Sequence, residues 1–211
     1  PAGAQTACRK TGAAAPQGDD RTRAGHRVPP RDAAVAARDG AAILRPMPLT
    51  IYLAGFDVFR PDALAQGERL KAWCAQAGHR GLYPLDHALP EGLSGAAAAR
   101  WIYQANCSLI RQADVVLANL NDFRGHEPDS GTAFEVGFAA ALGKPVVGYL
   151  DDDRPLRAQL GATHDAQGML VEDFGLARNL MLACAATLVR GDARAALQAL
   201  AGVAGLAGTQ R

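Results

Sequence analysis

Glu135 is the residue whose type and position point most clearly to chemistry. It is the one charged residue inside the segment AFEVGFAAAL at residues 133–142, where every other residue is apolar or glycine. A carboxylate in such a setting is desolvated unless a pocket or a partner accepts it. Two interpretations are open: a reactive carboxylate in a site, or a structural glutamate that faces solvent or pairs with an arginine.

Capping signals predict that residues 129–142 form a helix. Asp129, Ser130 and Thr132 can accept hydrogen bonds from free backbone N–H groups at its start. Gly143, followed by Lys144 and Pro145, is typical of a helix end. Glu135 then lies in the second turn, near the positive end of the helix dipole.

Composition and charge exclude several functional classes. The net charge is +1, but residues 1–46 carry eight Arg/Lys against four Asp/Glu, whereas the remainder carries fourteen against seventeen. A mildly acidic domain does not favour nucleic-acid binding, and no apolar run is long enough to span a bilayer. The scattered cysteines predict reduced thiols in the cytoplasm, with no metal site and no cofactor; they are Cys8, Cys74, Cys107 and Cys184.

Residues 1–46 are predicted to be a disordered extension, and residues 47–211 to be the folded domain. The first segment is rich in Ala, Arg, Gly and Pro and has no aromatic residue. Such a segment buries too little apolar surface to offset the entropy of ordering. It also lacks the apolar stretch of a secretory signal.

Beyond Pro48, short apolar segments alternate with helical patterns. This alternation predicts an α/β fold, with an open parallel sheet covered by helices on both faces. Ligands in such sheets bind at the carboxyl ends of the strands, where residues 55–59 and 119–129 are expected to lie. The predicted strands are 49–54, 81–84, 113–120, 145–150 and 169–171; the predicted helices are 63–77, 96–112, 129–142, 179–190 and 193–206; and 151–168 is a predicted loop.

Three stretches together resemble the nucleoside 2-deoxyribosyltransferase family. They are IYLAGFDVFRPD at 51–62, the segment 106–149 with its specific DSGTAFEVGFA motif, and EDFGLARNLML at 172–182. The resemblance runs from about Thr50 to Leu182. It implies a Rossmann-like (flavodoxin-like) doubly wound parallel sheet, and an enzyme that moves a 2-deoxyribosyl group between nucleobases.

The resemblance assigns catalytic roles to three residues. Glu135 matches the nucleophile, which retention at the anomeric carbon requires to be glycosylated and then released. Asp129 matches a second acidic position that holds a sugar hydroxyl or exchanges a proton with the base; a plain helix N-cap is its alternative role. Tyr52 matches a tyrosine that orients the nucleophile, with an ordinary strand aromatic as the alternative.

Substrate binding is assigned by the same resemblance to residues near the strand ends. Gly55 would allow close approach of the ligand, with a routine turn glycine as the alternative. Phe56 and Phe59 would sandwich the base, although isolated aromatics after a strand are more often core residues. Asn106 stands where many relatives carry an aspartate thought to contact the leaving base. Because an amide cannot deliver a proton at neutral pH, either Asp129 or water would have to protonate that base, or a purine would leave with less acid assistance.

The same resemblance implies an oligomer. Asn179 and Met181 match residues that reach into the neighbouring subunit's site, so we expect a homo-oligomer with shared sites; an ordinary helix core residue is the alternative for Met181. His87 and Asp86 lie in the loop where relatives contact the base, or else are simply solvated.

Three functions are weighed. The leading one is transfer between a deoxynucleoside and a free nucleobase, and the second is N-glycoside hydrolysis of a deoxynucleoside or its 5′-monophosphate. Asp57 is expected to repel a phosphate, with Arg60 as the one nearby cation, which disfavours the monophosphate. A non-catalytic nucleotide-sensing module is the third and gives no reason for Glu135.

Overall fold

The computed structural model describes residues 47–203, with side chains to Leu200. Within this range five parallel strands form one sheet in the order β2-β1-β3-β4-β5. The strands are β1 (Thr50–Ala54), β2 (Arg80–Leu82), β3 (Val115–Asn119), β4 (Val146–Leu150) and β5 (Thr187–Arg190). The helices are α1 (Ala63–Gln76), α2 (Gly95–Gln112), α3 (Ser130–Ala141), α4 (Leu156–Leu160), α5 (Leu180–Ala185) and α6 (Ala193–Val203).

Helices cover both faces of the sheet, which confirms the predicted doubly wound α/β fold. Successive residues of a strand point to opposite faces, so Ile51 and Leu53 pack with α1 and α6. Tyr52 and Ala54 point the other way and join the core formed with α2, α3 and α5. Tyr52 is thereby directed toward α3, the helix that carries Glu135.

The loops after β1 and β3 are tied together by a buried polar network. Asp57 is 4% exposed and accepts hydrogen bonds from Asn119 Nδ2 at 2.9 Å and Gln66 Nε2 at 3.0 Å. Gly55 lies so close to this network that a Cβ there would stand 2.8 Å from Cβ of Asn119. Glycine at position 55 therefore lets two strand ends meet at the predicted ligand edge.

The segment 179–190 differs from its prediction as one helix. Helix α5 ends at Ala185, and Thr187–Arg190 forms β5, the edge strand paired with β4. The apolar run LMLACAATLV has no glycine or proline to mark the change. Periodicity cannot separate a helix from a buried strand in such a run, although Thr187 and Val189 are β-branched and favour a strand.

Two smaller predictions were wrong. The predicted loop 151–168 contains the five-residue helix α4. The predicted strand 169–171 is reduced to a single bridge between His164 and Leu170. The predicted disorder of residues 1–46 and the predicted end of the last helix at residue 206 lie outside the described residues. No described helix has the length and hydropathy needed to cross a membrane.

Candidate active site

Glu135 receives two hydrogen bonds on the same carboxylate oxygen. The Tyr52 hydroxyl on β1 donates to Oε1 at 2.5 Å, and Asn106 Nδ2 on α2 donates to it at 3.4 Å. Three neighbouring elements thus fix one carboxylate, because the inward side of β1 faces the packed pair α2 and α3. No described residue donates to Oε2, which leaves that oxygen open toward a ligand.

Burial dominates the electrostatics of this carboxylate. Desolvation is the largest cause that raises the pKa of Glu135 to about 7, and the negative charge of Asp129 adds to it. The hydrogen bonds from Tyr52 and Asn106 oppose that rise, because they stabilise the ionised form. Burial and the adjacent Glu135 charge raise the pKa of Tyr52 well above its ordinary value, so its hydroxyl remains a donor.

Asp129 is the N-cap of α3. Its Oδ2 accepts hydrogen bonds from the Thr132 backbone N–H at 2.9 Å and from the Thr132 hydroxyl at 3.1 Å. The predicted capping role is therefore confirmed. Asp129 also lines the same cavity as Glu135, which keeps it within reach of a ligand.

A cavity of about 400 Å³ opens above Glu135, a size that suits a small-molecule ligand. Its walls are mostly apolar, with polar groups concentrated near α3. Among the described residues no lysine or arginine lines it. The apolar walls come from Val58, Phe59, Pro84, Leu85, Leu89, Trp101, Ile102 and Ala105. The remaining lining residues are Gly55, His87, Asn106, Asp129, Gly131, Thr132 and Glu135.

The predicted site residues do not all meet in this cavity. The cavity is lined by Gly55, Asn106, Asp129 and Glu135. Tyr52 does not line it, but its hydroxyl donates a hydrogen bond to Glu135. Phe56 instead lines a second cavity, beside Arg178, and its ring stacks on Phe123 at a centroid distance of 5.2 Å. Phe59, whose ring also stacks on Phe123, is the one of these two aromatics that lines the Glu135 cavity.

Asn179 and Met181 lie outside the cavity of their own chain. Asn179 is the N-cap of α5: its Oδ1 accepts from Met181 N at 3.0 Å, and its Nδ2 donates to Glu172. Arg178, 2% exposed, anchors this turn by donating to the backbone oxygen of Leu120 at 2.7 Å. Met181 is 72% exposed, so its side chain points away from the core of its own chain.

Trp101, Ile102, Leu85 and Leu89 were not predicted as site residues. They come from α2 and from the loop after β2, and that loop follows a carboxyl strand end as Gly55 does. The family resemblance was the signal that named His87, in the same loop, as a candidate. No pattern within the loop itself distinguished apolar wall residues from solvated ones.

Fold and site together define a doubly wound α/β protein with a small-molecule cavity at the carboxyl ends of its strands. The family model described as nucleoside 2-deoxyribosyltransferase matches residues 51–181. Because this match spans more than half of the chain, the chain belongs to the nucleoside 2-deoxyribosyltransferase family.

Individual relatives agree with this membership. A solved structure described as a 2-desoxiribosyltransferase from Leishmania mexicana is 37% identical, with a TM-score of 0.62 over 73% of this chain and 98% of that one. An uncharacterized protein of Schizosaccharomyces pombe is 31% identical over 155 residues, 62% of this chain and 74% of its own. The 5-hydroxymethyl-dUMP N-hydrolase of Mus musculus is 31% identical over 87 residues, 40% of this chain and 47% of its own. These similarities support an enzyme of the deoxyribosyltransferase or N-glycosidase type.

Proposed function

We propose that this protein transfers a 2-deoxyribosyl group from a deoxynucleoside to a free nucleobase, through a covalent glycosyl-enzyme on Glu135. The observation that carries the proposal is the Glu135 carboxylate itself. It is half-buried and lines the cavity, its Oε1 is held by Tyr52 at 2.5 Å, and its Oε2 accepts no hydrogen bond from a described residue. The family membership supports the same reaction.

The reaction consists of two displacements at the anomeric carbon. In the first, Oε2 of Glu135 forms a bond to this carbon, and the carbon–nitrogen bond breaks with its electron pair going to the base. In the second, a ring nitrogen of the incoming base attacks the same carbon and the carboxylate leaves. Two inversions give net retention.

The lining of the cavity supports an uncharged nucleoside rather than a nucleotide as substrate. No described lining residue is a lysine or arginine that would pair with a phosphate. Arg60 is exposed and already pairs with Asp62 at 2.8 Å. Asp57 does not act as expected, because its carboxylate is buried in bonds with Asn119 and Gln66 rather than facing the cavity. The preference for a nucleoside over a nucleotide therefore rests on the absence of lysine and arginine among the described lining residues.

Hydrolysis is the second candidate, and the partial similarity to the mouse N-hydrolase favours it. In this reaction water, rather than a base, would release the sugar from Glu135. The apolar walls oppose it, because a bound base on such walls displaces the water that would attack.

Chromatography of products separates the two candidates. With 2′-deoxyinosine as donor, we expect 2′-deoxyadenosine to form only when adenine is added. Equal release of hypoxanthine with and without adenine, and no new nucleoside, would establish hydrolysis instead. Parallel tubes with 2′-deoxyinosine 5′-monophosphate test the nucleotide alternative, and the E135A variant controls for contaminating activity.

We also propose that Asn179 and Met181 complete the site of a neighbouring subunit. The exposure of Met181 and the anchoring of the α5 turn by Arg178 support this assignment, since they present a fixed apolar side chain away from its own core. Size-exclusion chromatography with light scattering tests it: the active species is expected to be an oligomer, and an active monomer would refute sharing.

A further inference from the structure

The leaving base needs a proton that the residues around Glu135 do not obviously supply. When the bond to the sugar breaks, the electron pair remains on the base, and protonation makes it a better leaving group. Asn106 carries an amide, which cannot give up a proton at neutral pH. Its Nδ2 is moreover directed at Glu135 Oε1, at 3.4 Å, so this residue serves the nucleophile.

Asp129 is also poorly placed to act as the acid. Its Oδ2 accepts two hydrogen bonds from Thr132, one from the backbone and one from the hydroxyl. Both bonds require that oxygen to act as an acceptor, and the N-terminus of α3 favours the charged carboxylate. Glu135 itself is consumed as the nucleophile. The one other titratable side chain among the described lining residues is His87.

His87 is positioned by the residue before it. Asp86 closes the turn after β2: its Oδ2 accepts from the Tyr83 backbone N–H at 2.8 Å, and its Oδ1 accepts from Lys71 Nζ at 2.6 Å. Asp86 therefore faces the protein, whereas the next residue, His87, lines the cavity. No described residue forms a hydrogen bond with the His87 imidazole, and its exposure keeps it in proton exchange with water.

We propose that His87 is the acid–base group for the nucleobase in this reaction, an inference that rests on the proposed function. The imidazolium donates its proton to a ring nitrogen of the base as the carbon–nitrogen bond breaks, so the base departs neutral and His87 is left neutral. In the second displacement, neutral His87 accepts the proton that the incoming base loses as its nitrogen bonds to the sugar. Histidine suits both directions because its imidazolium can donate a proton and its neutral imidazole has a ring nitrogen that can accept one.

A pair of donors tests this role. 2′-Deoxyinosine must gain a proton for its base to leave neutral, whereas 7-methyl-2′-deoxyguanosine already carries a positive charge on its base and needs none. The measurement is the rate of base release in a single turnover with enzyme in excess, which isolates the first displacement. The variants are H87Q, E135A and the matched control H164Q, which replaces an exposed histidine outside the cavity.

We expect H87Q to slow release from 2′-deoxyinosine by about 100-fold or more, and release from 7-methyl-2′-deoxyguanosine by less than about threefold. H164Q is expected to match the wild type with both donors. An equal loss with both donors would assign His87 to binding or structure, and no loss with either would remove it from the reaction; both results overturn the proposal.

The same assay distinguishes failure of the proposed function from failure of the His87 assignment. If E135A released base at the wild-type rate, Glu135 would not be the nucleophile, while the ratio between the two donors would still decide the role of His87. If the wild type released base from neither donor, the proposed function and the His87 assignment would both be refuted.

Discussion

Glu135 is subject to influences of opposite sign. Burial and the charge of Asp129 raise its pKa, whereas the hydrogen bonds from Tyr52 and Asn106 lower it, and the result is a pKa of about 7. The nucleophile must be ionised, so with 7-methyl-2′-deoxyguanosine, a donor that needs no proton from His87, we expect kcat/KM to rise through an acidic limb near this pH and then level off. Substitution of a neighbour that lowers the pKa of Glu135 should move this limb to higher pH, and substitution of a neighbour that raises the pKa should move it to lower pH.

Substitution of Tyr52 by phenylalanine moves the acidic limb to higher pH. The Y52F variant lacks the donor that stabilises the ionised carboxylate, so the pKa of Glu135 rises further. A hydrogen bond to a charged group is worth about 1.5 kcal/mol or more, so kcat/KM at pH 6 should fall about tenfold. A pH profile of kcat/KM measures this, with Y103F as the control; a limb that stays in place or moves to lower pH would contradict the orienting role.

Glu135 should also lower the stability of the fold at neutral and alkaline pH. Its folded pKa of about 7 lies above the ordinary 4.5. For an acid, this means that the charged form is destabilised in the fold, a penalty that is absent below pH 4.5 and complete above pH 7. The E135Q variant removes the charge and should be more stable at pH 8 by up to about 3 kcal/mol, with no gain at pH 4.5.

Urea unfolding at the two pH values measures this difference. E91Q, which replaces an exposed glutamate, is the matched control and should show no such dependence. Equal stability of E135Q and wild type at pH 8 would mean that Glu135 is well solvated, which contradicts the desolvation that raises its pKa.

At the level of elements, the start of α3 serves two purposes at once. Asp129 caps the helix through Thr132 N and also raises the pKa of Glu135 through its charge. Asparagine caps as well as aspartate, whereas alanine costs about 1 kcal/mol. The two substitutions therefore separate the cap from the charge.

The D129N variant should keep its stability and move the acidic limb of kcat/KM to lower pH, opposite to Y52F. We expect its plateau to fall, because Asp129 lines the cavity, without activity being abolished. D129A should move the limb in the same direction and also lower the unfolding free energy. An unchanged limb and plateau in D129N would remove Asp129 from the site.

Strands and helices could be predicted from the sequence where hydrophobic pattern and end signals agree. Strands β1, β3 and β4 are continuous apolar runs, and α3 has a capping residue at one end and Gly143 at the other. The α5 to β5 change was missed because the β-branched residues Thr187 and Val189 are a weak local signal, and sheet pairing with β4 decides the conformation of residues 187–190. Helix α4 was missed because five residues give no readable period.

At the level of the whole molecule, the site was predictable only in part. Glu135 and Asp129 were singled out by the pattern of residues 129–142, a lone charge in an apolar helix with a capping residue at its start, whereas their roles and the choice of Tyr52 came from the resemblance. The sheet then brings Tyr52 to Glu135 across 83 positions of sequence. The apolar walls were not found, since residues such as Trp101 and Leu85 resemble ordinary core residues until the fold opens a cavity beside them. Phe56 was predicted on the cavity, but its ring turns to Phe123 instead.

If each active site is shared between two subunits, two variants that are inactive alone should regain activity when they form mixed oligomers. In an oligomer of E135A with an N179A/M181A double variant, some sites combine a wild-type Glu135 with a wild-type α5 turn from the partner. Subunits exchanged by mild denaturation and refolding should therefore regain transfer activity. Each variant refolded alone is the control, and a mixture that remains inactive despite mixed oligomers would contradict sharing.

The covalent bond to Glu135 is the central claim, and trapping it is the most direct test. A donor with fluorine at the 2′ position slows the release of the sugar, because fluorine destabilises the electron-poor transition state. After incubation without acceptor, intact-mass and peptide mass spectrometry should show one added sugar per chain, on the peptide that contains Glu135, and adenine should remove it. Base release with no added sugar, or a sugar on another residue, would contradict a Glu135 nucleophile.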